Sequence, residues 1–156
     1  MVLRRHDRRS LRGWAQRVET FHTEDRLDRL HELTGGWPLL VGRAHRLHTE
    51  LSDPDEVLRH LAGLRTDRAQ ARAFAEATGV CADPLLAAGY RALEEEFKDG
   101  SFDWESALTA VAIQGEVDED EARWIVTCLD ALHVFDREGT QLRLEPLLRE
   151  CVALHA

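Results

Sequence analysis

Every proline in this chain stands where a helix is expected to begin. There are four in 156 residues. Pro38 follows "TGGW", Pro54 follows "LSD", Pro84 follows "CAD", and Pro146 opens "PLLRECVAL". Proline has no N–H to give to a helix interior, but the first turn leaves its N–H groups unpaired anyway. Asp53 and Asp83 directly precede their prolines, where a carboxylate accepts from those first-turn groups. A chain punctuated in this way reads as a series of short helices.

Periodicity fills in the rest. Leu11, Trp14, Val18 and Phe21 share one face of a predicted helix from Ser10 to Phe21. Thr23 caps a helix carrying Leu27, Leu30 and Leu33, and Gly35 is a natural left-handed stop. The helix opened by Pro38 turns Leu40, Val41, Ala44, Leu47 and Leu51 inward. Val57, Leu58, Leu61 and Leu64 follow Pro54, Asp67 opens an Ala-rich helix ending at Gly79, and Asp83 opens another to about Lys98. After Gly100 the pattern changes. Asp103 caps a helix from Trp104 to about Ile113, "QGEVDED" turns, and Asp118 caps a helix with Ala122, Ile125, Val126, Leu129 and Leu132 on its inner face. His133–Asp136 and the alternating Leu142–Glu145 flank a turn at Glu138-Gly139, which predicts a small β-hairpin. The expected class is all-α with one small hairpin, in two units. Residues 1–80 form a helical bundle. Residues 81–156 run helix, turn, helix, hairpin, the order of a winged helix-turn-helix.

Charge supports the division. Residues 1–80 hold 14 Lys/Arg and 12 Asp/Glu, whereas residues 81–156 hold 6 and 17. The first part is slightly basic, with six arginines in its first 17 residues, and the second is strongly acidic. No apolar run approaches the roughly 20 residues of a membrane helix, and the basic start has no apolar stretch behind it, so neither membrane insertion nor secretion is expected. Cys81, Cys128 and Cys151 are odd in number and lack metal-type spacing, which fits reduced thiols in a cytoplasmic protein.

The motifs of catalysis are missing. There is no G-x-x-x-x-G-K-[ST], and the single lysine, Lys98, is followed by Asp99. "IVTCLD", residues 125–130, looks like a strand ending in a magnesium-binding Asp, but Leu129 and Leu132 continue a helical period. His45 and His48 lie three apart with His22 and His31 nearby in sequence, yet no third ligand or H-E-x-x-H completes a metal site, so they read as surface histidines. Glu94-Glu95-Glu96 reads as a solvated helix face, and no G-x-S-x-G marks a nucleophile. No catalytic residue, no metal ligand set and no cofactor held by this chain alone is expected.

Two basic features bear on nucleic acid. "RRHDRRSLRGW" lacks the interleaved aromatics of a binding patch and reads as a solvated end that faces another domain. In a DNA-reading winged unit the second helix of the turn enters the major groove by its N-terminal residues. Here that helix opens with Asp118, Glu119, Asp120 and Glu121, which suit the helix dipole but oppose phosphates. Arg123, Arg137 and Arg143 are the basic residues from there through the wing, and they are the DNA-contact candidates on that alternative. Packing on protein is favoured over reading DNA.

The segment "RLHELTGGWPLLVGRAHRL" resembles the Gly-x-Pro region in the lid of STAND-type signalling ATPases, members of the AAA+ group of P-loop NTPases. The pattern is a helix ending in T-G-G, one variable residue, proline, then aliphatic residues opening the next helix: Thr34, Gly35, Gly36, Trp37, Pro38, Leu39, Leu40, Val41. The resemblance implies that the first unit is a lid and that Gly35, Gly36, Trp37 and Pro38 face a nucleotide, ATP or ADP, held mainly by a preceding P-loop domain. A winged helix commonly follows such a lid. The nucleotide-binding core is missing from this chain, so ATP hydrolysis by the chain alone is not expected. Its expected partner is a P-loop domain in cis or another protein. The rival expectations are a stand-alone winged-helix transcription regulator and a small protein-binding adaptor.

Overall fold

The structure, a computed structural model, describes residues 4–155. Among these residues there are nine α-helices and one two-stranded antiparallel hairpin, and the chain divides into two compact units, Met1–Gln70 and Ala71–Ala156. The boundary falls about ten residues before the expected one, inside a single helix. Ala71, Phe74, Ala75 and Val80 are all buried. No helix among the described residues is long and apolar enough to cross a membrane.

The first unit contains α1 (Arg8–Arg17), α2 (Glu24–Thr34), α3 (Pro38–Leu51), α4 (Pro54–Ala62), a 3-10 turn (Gly63–Arg65) and the start of α5 (Arg68–Thr78). Asp7 caps α1 through the Ser10 N–H at 2.7 Å, Thr23 caps α2 through Arg26, and Asp53 caps α4 through Asp55. Asp67 receives the N–H groups of Ala69 and Gln70 at the head of α5. The core joins Leu11 and Ala15 of α1 with Leu27, Leu30 and Leu33 of α2, Val41 and Ala44 of α3, and Val57, Leu58 and Leu61 of α4. Each such leucine, removed from water, contributes about 1.5–3 kcal/mol.

α1 is shorter than its apolar spacing predicts. It ends at Arg17, and Glu19 and Phe21 both take positive φ, 56° and 54°. The Thr20 N–H returns to the Ala15 carbonyl at 3.1 Å, which closes the end of the helix. Phe21 therefore reaches the core from a loop, where it is 1% exposed and stacks near Trp14.

The second unit contains the rest of α5, α6 (Pro84–Phe97), α7 (Trp104–Gly115), α8 (Glu119–Ala131), β1 (Phe135–Glu138), β2 (Gln141–Leu144) and α9 (Pro146–His155). Asp83, Asp103 and Asp118 cap α6, α7 and α8 through Leu85, Ser106 and Glu121, respectively. α6, α7 and α8 pack on one another. Gly89 of α6 permits part of this, since a Cβ there would overlap Cγ2 of Ile125 on α8. The segment "IVTCLD" lies within α8, as its period predicts.

The hairpin pairs Phe135 with Leu144 and Glu138 with Gln141. It lies two residues later in its first arm than predicted, and Gly139-Thr140 form the connection. Phe102, just before α7, forms a bridge to Leu142, donating to its carbonyl at 2.8 Å and accepting from its N–H at 2.7 Å. This third position on the sheet was not read from the sequence, because one bridging residue has no alternation to detect. Phe102 is 3% exposed and stacks on Phe97 at a centroid distance of 4.4 Å, with Phe135 edge-on at 5.7 Å.

Candidate functional site

The T-G-G-W-P corner is built as a stop and a restart. Gly35 caps α2 with φ 56° and donates to His31 at 2.8 Å. The Thr34 hydroxyl donates to the Leu30 carbonyl at 2.7 Å and accepts from the Gly36 N–H at 3.2 Å. The N–H groups of Leu40 and Val41 both donate to the Trp37 carbonyl, at 3.0 and 2.9 Å. Pro38 occupies the first turn of α3.

Another part of the chain lies over this corner. The His6 N–H donates to the Gly36 carbonyl at 2.7 Å. Gly36 has φ +71°, and a Cβ on it would overlap the His6 carbonyl oxygen. The Arg5 guanidinium carbon sits 5.3 Å from the centroid of the Trp37 ring, within cation–π range. Gly36 and Trp37 are accordingly buried, Trp37 to 6% exposure. Gly35 and Pro38 are half-buried, and Leu39, at 48% exposure, is the surface residue of the first turn of α3. Of the four residues expected to face a nucleotide, two are in contact with the chain's own entering segment. The glycine does admit a close backbone approach, and in this structure the approaching backbone is that of His6.

The three arginines of the DNA alternative are each engaged. Arg123 donates to Glu119 at 3.0 Å, Arg137 donates to both carboxylate oxygens of Asp130 at 2.6 Å, and Arg143 lies 3.6 Å from Asp136. A pocket of about 200 Å³ on the hairpin contains Arg137 and Arg143 together with Asp136 and Glu138, so its charges balance. Asp118, Glu119 and Asp120 are exposed at the head of α8.

The His45 ring meets Trp14 edge-on at 6.3 Å and the His48 ring tilts against Phe21 at 6.0 Å. Among the described residues, no group of three or more His, Cys, Asp or Glu is placed to hold a metal ion. Cys81, Cys128 and Cys151 form no disulfide among the described residues, and partial burial pushes the Cys81 thiol above its ordinary pKa.

Two exposed side chains escaped the sequence reading. Ile113 is 71% exposed on α7 and Trp124 is 48% exposed on α8. A signal was available for both. The buried face of α7 uses Ala107, Leu108, Ala110 and Val111, and that of α8 uses Ala122, Ile125, Val126 and Leu129, so Ile113 and Trp124 fall off the period. No protein-family model, curated protein or solved structure matches the chain.

Proposed function

We propose that this chain is the regulatory, non-catalytic lid and winged-helix portion of a STAND/AAA+ ATPase, working through protein contacts. The observation that carries the protein-contact reading is the charge of the α7–α8 unit. Its second helix presents three exposed carboxylates in Asp118, Glu119 and Asp120, and each nearby arginine is neutralised within the unit. A phosphate backbone meets repulsion there. The winged-helix reading is supported by the order α6, Phe102, α7, α8, β1, β2, with Phe102 adding a third position to the sheet beside β2.

The lid reading is supported by the corner. Residues 5 and 6 cross Gly36 and Trp37, so the chain enters the first unit beside the motif, where an ATPase core in cis would adjoin it. ATP or ADP belongs to that core. In that setting the nucleotide state of the core would move the lid, and the winged unit would carry the motion to a partner. Pro38 and Leu39 are the edge available to a neighbouring domain.

Two experiments test this. The chain is mixed with random-sequence duplex DNA at low salt, where phosphate attraction is strongest. No gel retardation is expected. Retardation that weakens on replacing Arg123, Arg137 and Arg143 with alanine overturns the protein-contact reading in favour of a transcription regulator. The coding frame ahead of residue 1 is then read for a P-loop domain, and its absence overturns the ATPase half.

A further inference from the structure

We propose that the groove between α6 and α7 docks a cationic amphipathic helix of a partner protein. The groove has a volume of about 400 Å³. Its apolar surface comes from Phe97, Ala110 and Ile113, and its lining also includes Glu96, Asp103 and Glu105. Among the described residues, no lysine or arginine lines it.

Three observations commit the occupant. The first is Ile113, the most exposed of the large apolar side chains in the described residues. An exposed isoleucine beside a concave apolar strip supplies the contact that an amphipathic helix seeks with its own apolar face. The second is rigidity. Phe97 is held by its stack on Phe102, and Gln114 donates to Glu96 at 3.2 Å, so one end of the groove is already framed. A preformed groove avoids the cost of ordering on binding.

The third is charge. Asp103 accepts from Ser106 and Glu96 from Gln114, each through one carboxylate oxygen, and the exposed Glu96 and Glu105 present negative charge to an incoming cation. The surrounding unit holds 7 Lys/Arg against 18 Asp/Glu over residues 71–156. An acidic or neutral helix would be repelled, whereas lysines and arginines flanking an apolar stripe meet Glu96 and Glu105. This inference rests on the reading that the second unit works on protein.

The probe is a fluorescein-labelled helical peptide of Leu, Lys and Arg, with leucines at 3–4 spacing. Controls are the same composition scrambled to break that spacing, and a Leu/Glu version. Fluorescence anisotropy is followed with the full chain at low and high salt, and circular dichroism checks that each variant folds. The cationic helix is expected to bind and to weaken with salt. Ile113→Asp and Glu96→Lys/Glu105→Lys are each expected to weaken it by about tenfold or more. The charge-matched pair Glu138→Lys/Glu150→Lys is expected to leave binding within about twofold.

Equal binding of the scrambled peptide, or equal loss in the charge-matched pair, overturns the proposal by reducing it to unspecific attraction. Absence of binding also overturns it. So does a dimer on sizing chromatography that Ile113→Asp returns to a monomer, which assigns the groove to a second copy. DNA retardation is measured separately. A chain that fails the peptide test but leaves DNA unshifted loses the groove and keeps the protein-contact reading.

Discussion

The backbone N–H of His6 donates to the Gly36 carbonyl at 2.7 Å, and Gly36 can accept this neighbour because it has no Cβ. Gly36→Ala therefore carries two penalties. Its φ of +71° costs a non-glycine residue about 1–2 kcal/mol. The new methyl also overlaps the His6 carbonyl, which is backbone and has no rotamer to yield. The expected loss is at least about 2 kcal/mol, read from urea unfolding. Gly63→Ala is the control. Gly63 sits at φ −61°, ψ −22° with open space around it, so alanine there is expected to be neutral or to stabilise by about 0.4–1 kcal/mol. Equal losses at the two glycines would refute the close-approach account.

Much of the architecture is legible because it is written locally. The carboxylate caps at Asp53, Asp83, Asp103 and Asp118 act within two or three residues of themselves, and Gly35 stops α2 by its own φ. What was missed depends on distant partners. Nothing around Gly36 announces that His6, thirty positions earlier, lies across it. Phe21 occupies the core as its spacing implies, but the loop that delivers it bends through two positive-φ residues that carry ordinary side chains. The Phe102 bridge is one residue long, and the bond partners of Arg123, Arg137 and Arg143 are set by how α8 and the hairpin meet. The corner motif was visible, while its occupant was not.

Gly89 predicts an unequal thermodynamic cycle with Ile125. Adding a methyl at Gly89 drives it into Cγ2 of Ile125, an overpacking expected to cost about 1–3 kcal/mol. Ile125→Ala removes that carbon and leaves a cavity, expected to cost about 2–5 kcal/mol. In the double variant the alanine methyl enters the space that was vacated. The combined loss is therefore expected to fall below the sum of the two single losses by at least about 0.5 kcal/mol, measured by denaturant unfolding. Simple additivity would show that α6 and α8 do not meet through this pair.

Tyr90 gives a spectroscopic reading of burial. It is the chain's one tyrosine and is 1% exposed. Burial first, and then the charges of Glu145 and Glu94, push its phenol well above the ordinary value of 10.0. A raised folded-state value means that the native state holds its proton where the unfolded chain has lost it. The corresponding stability is complete below about pH 10 and declines as pH rises beyond it. Phenolate absorbance is expected to be absent from the native protein above pH 10 and to appear together with loss of helical ellipticity. Ionisation at the ordinary value with the helices intact would place Tyr90 in contact with water.

Glu145 is the cap that composition hides, since a glutamate is not among the preferred capping residues. Its position after Leu142-Arg143-Leu144 reads as the end of a strand, but β2 stops at Leu144. The Glu145 carboxylate, 3% exposed, instead accepts from the Leu147 N–H at 3.2 Å and the Leu148 N–H at 2.7 Å. Its own N–H donates to Val134 at 2.9 Å, which ties the head of α9 to the approach to β1. Glu145→Ala leaves buried first-turn amides without these acceptors and is expected to cost about 1–3 kcal/mol in thermal or urea unfolding. Glu145→Gln keeps one carbonyl oxygen to accept and is expected to lose less. If alanine were tolerated as well as glutamine, the carboxylate would have no capping role, and α9 would be held by Leu147, Leu148 and Cys151 in the core alone.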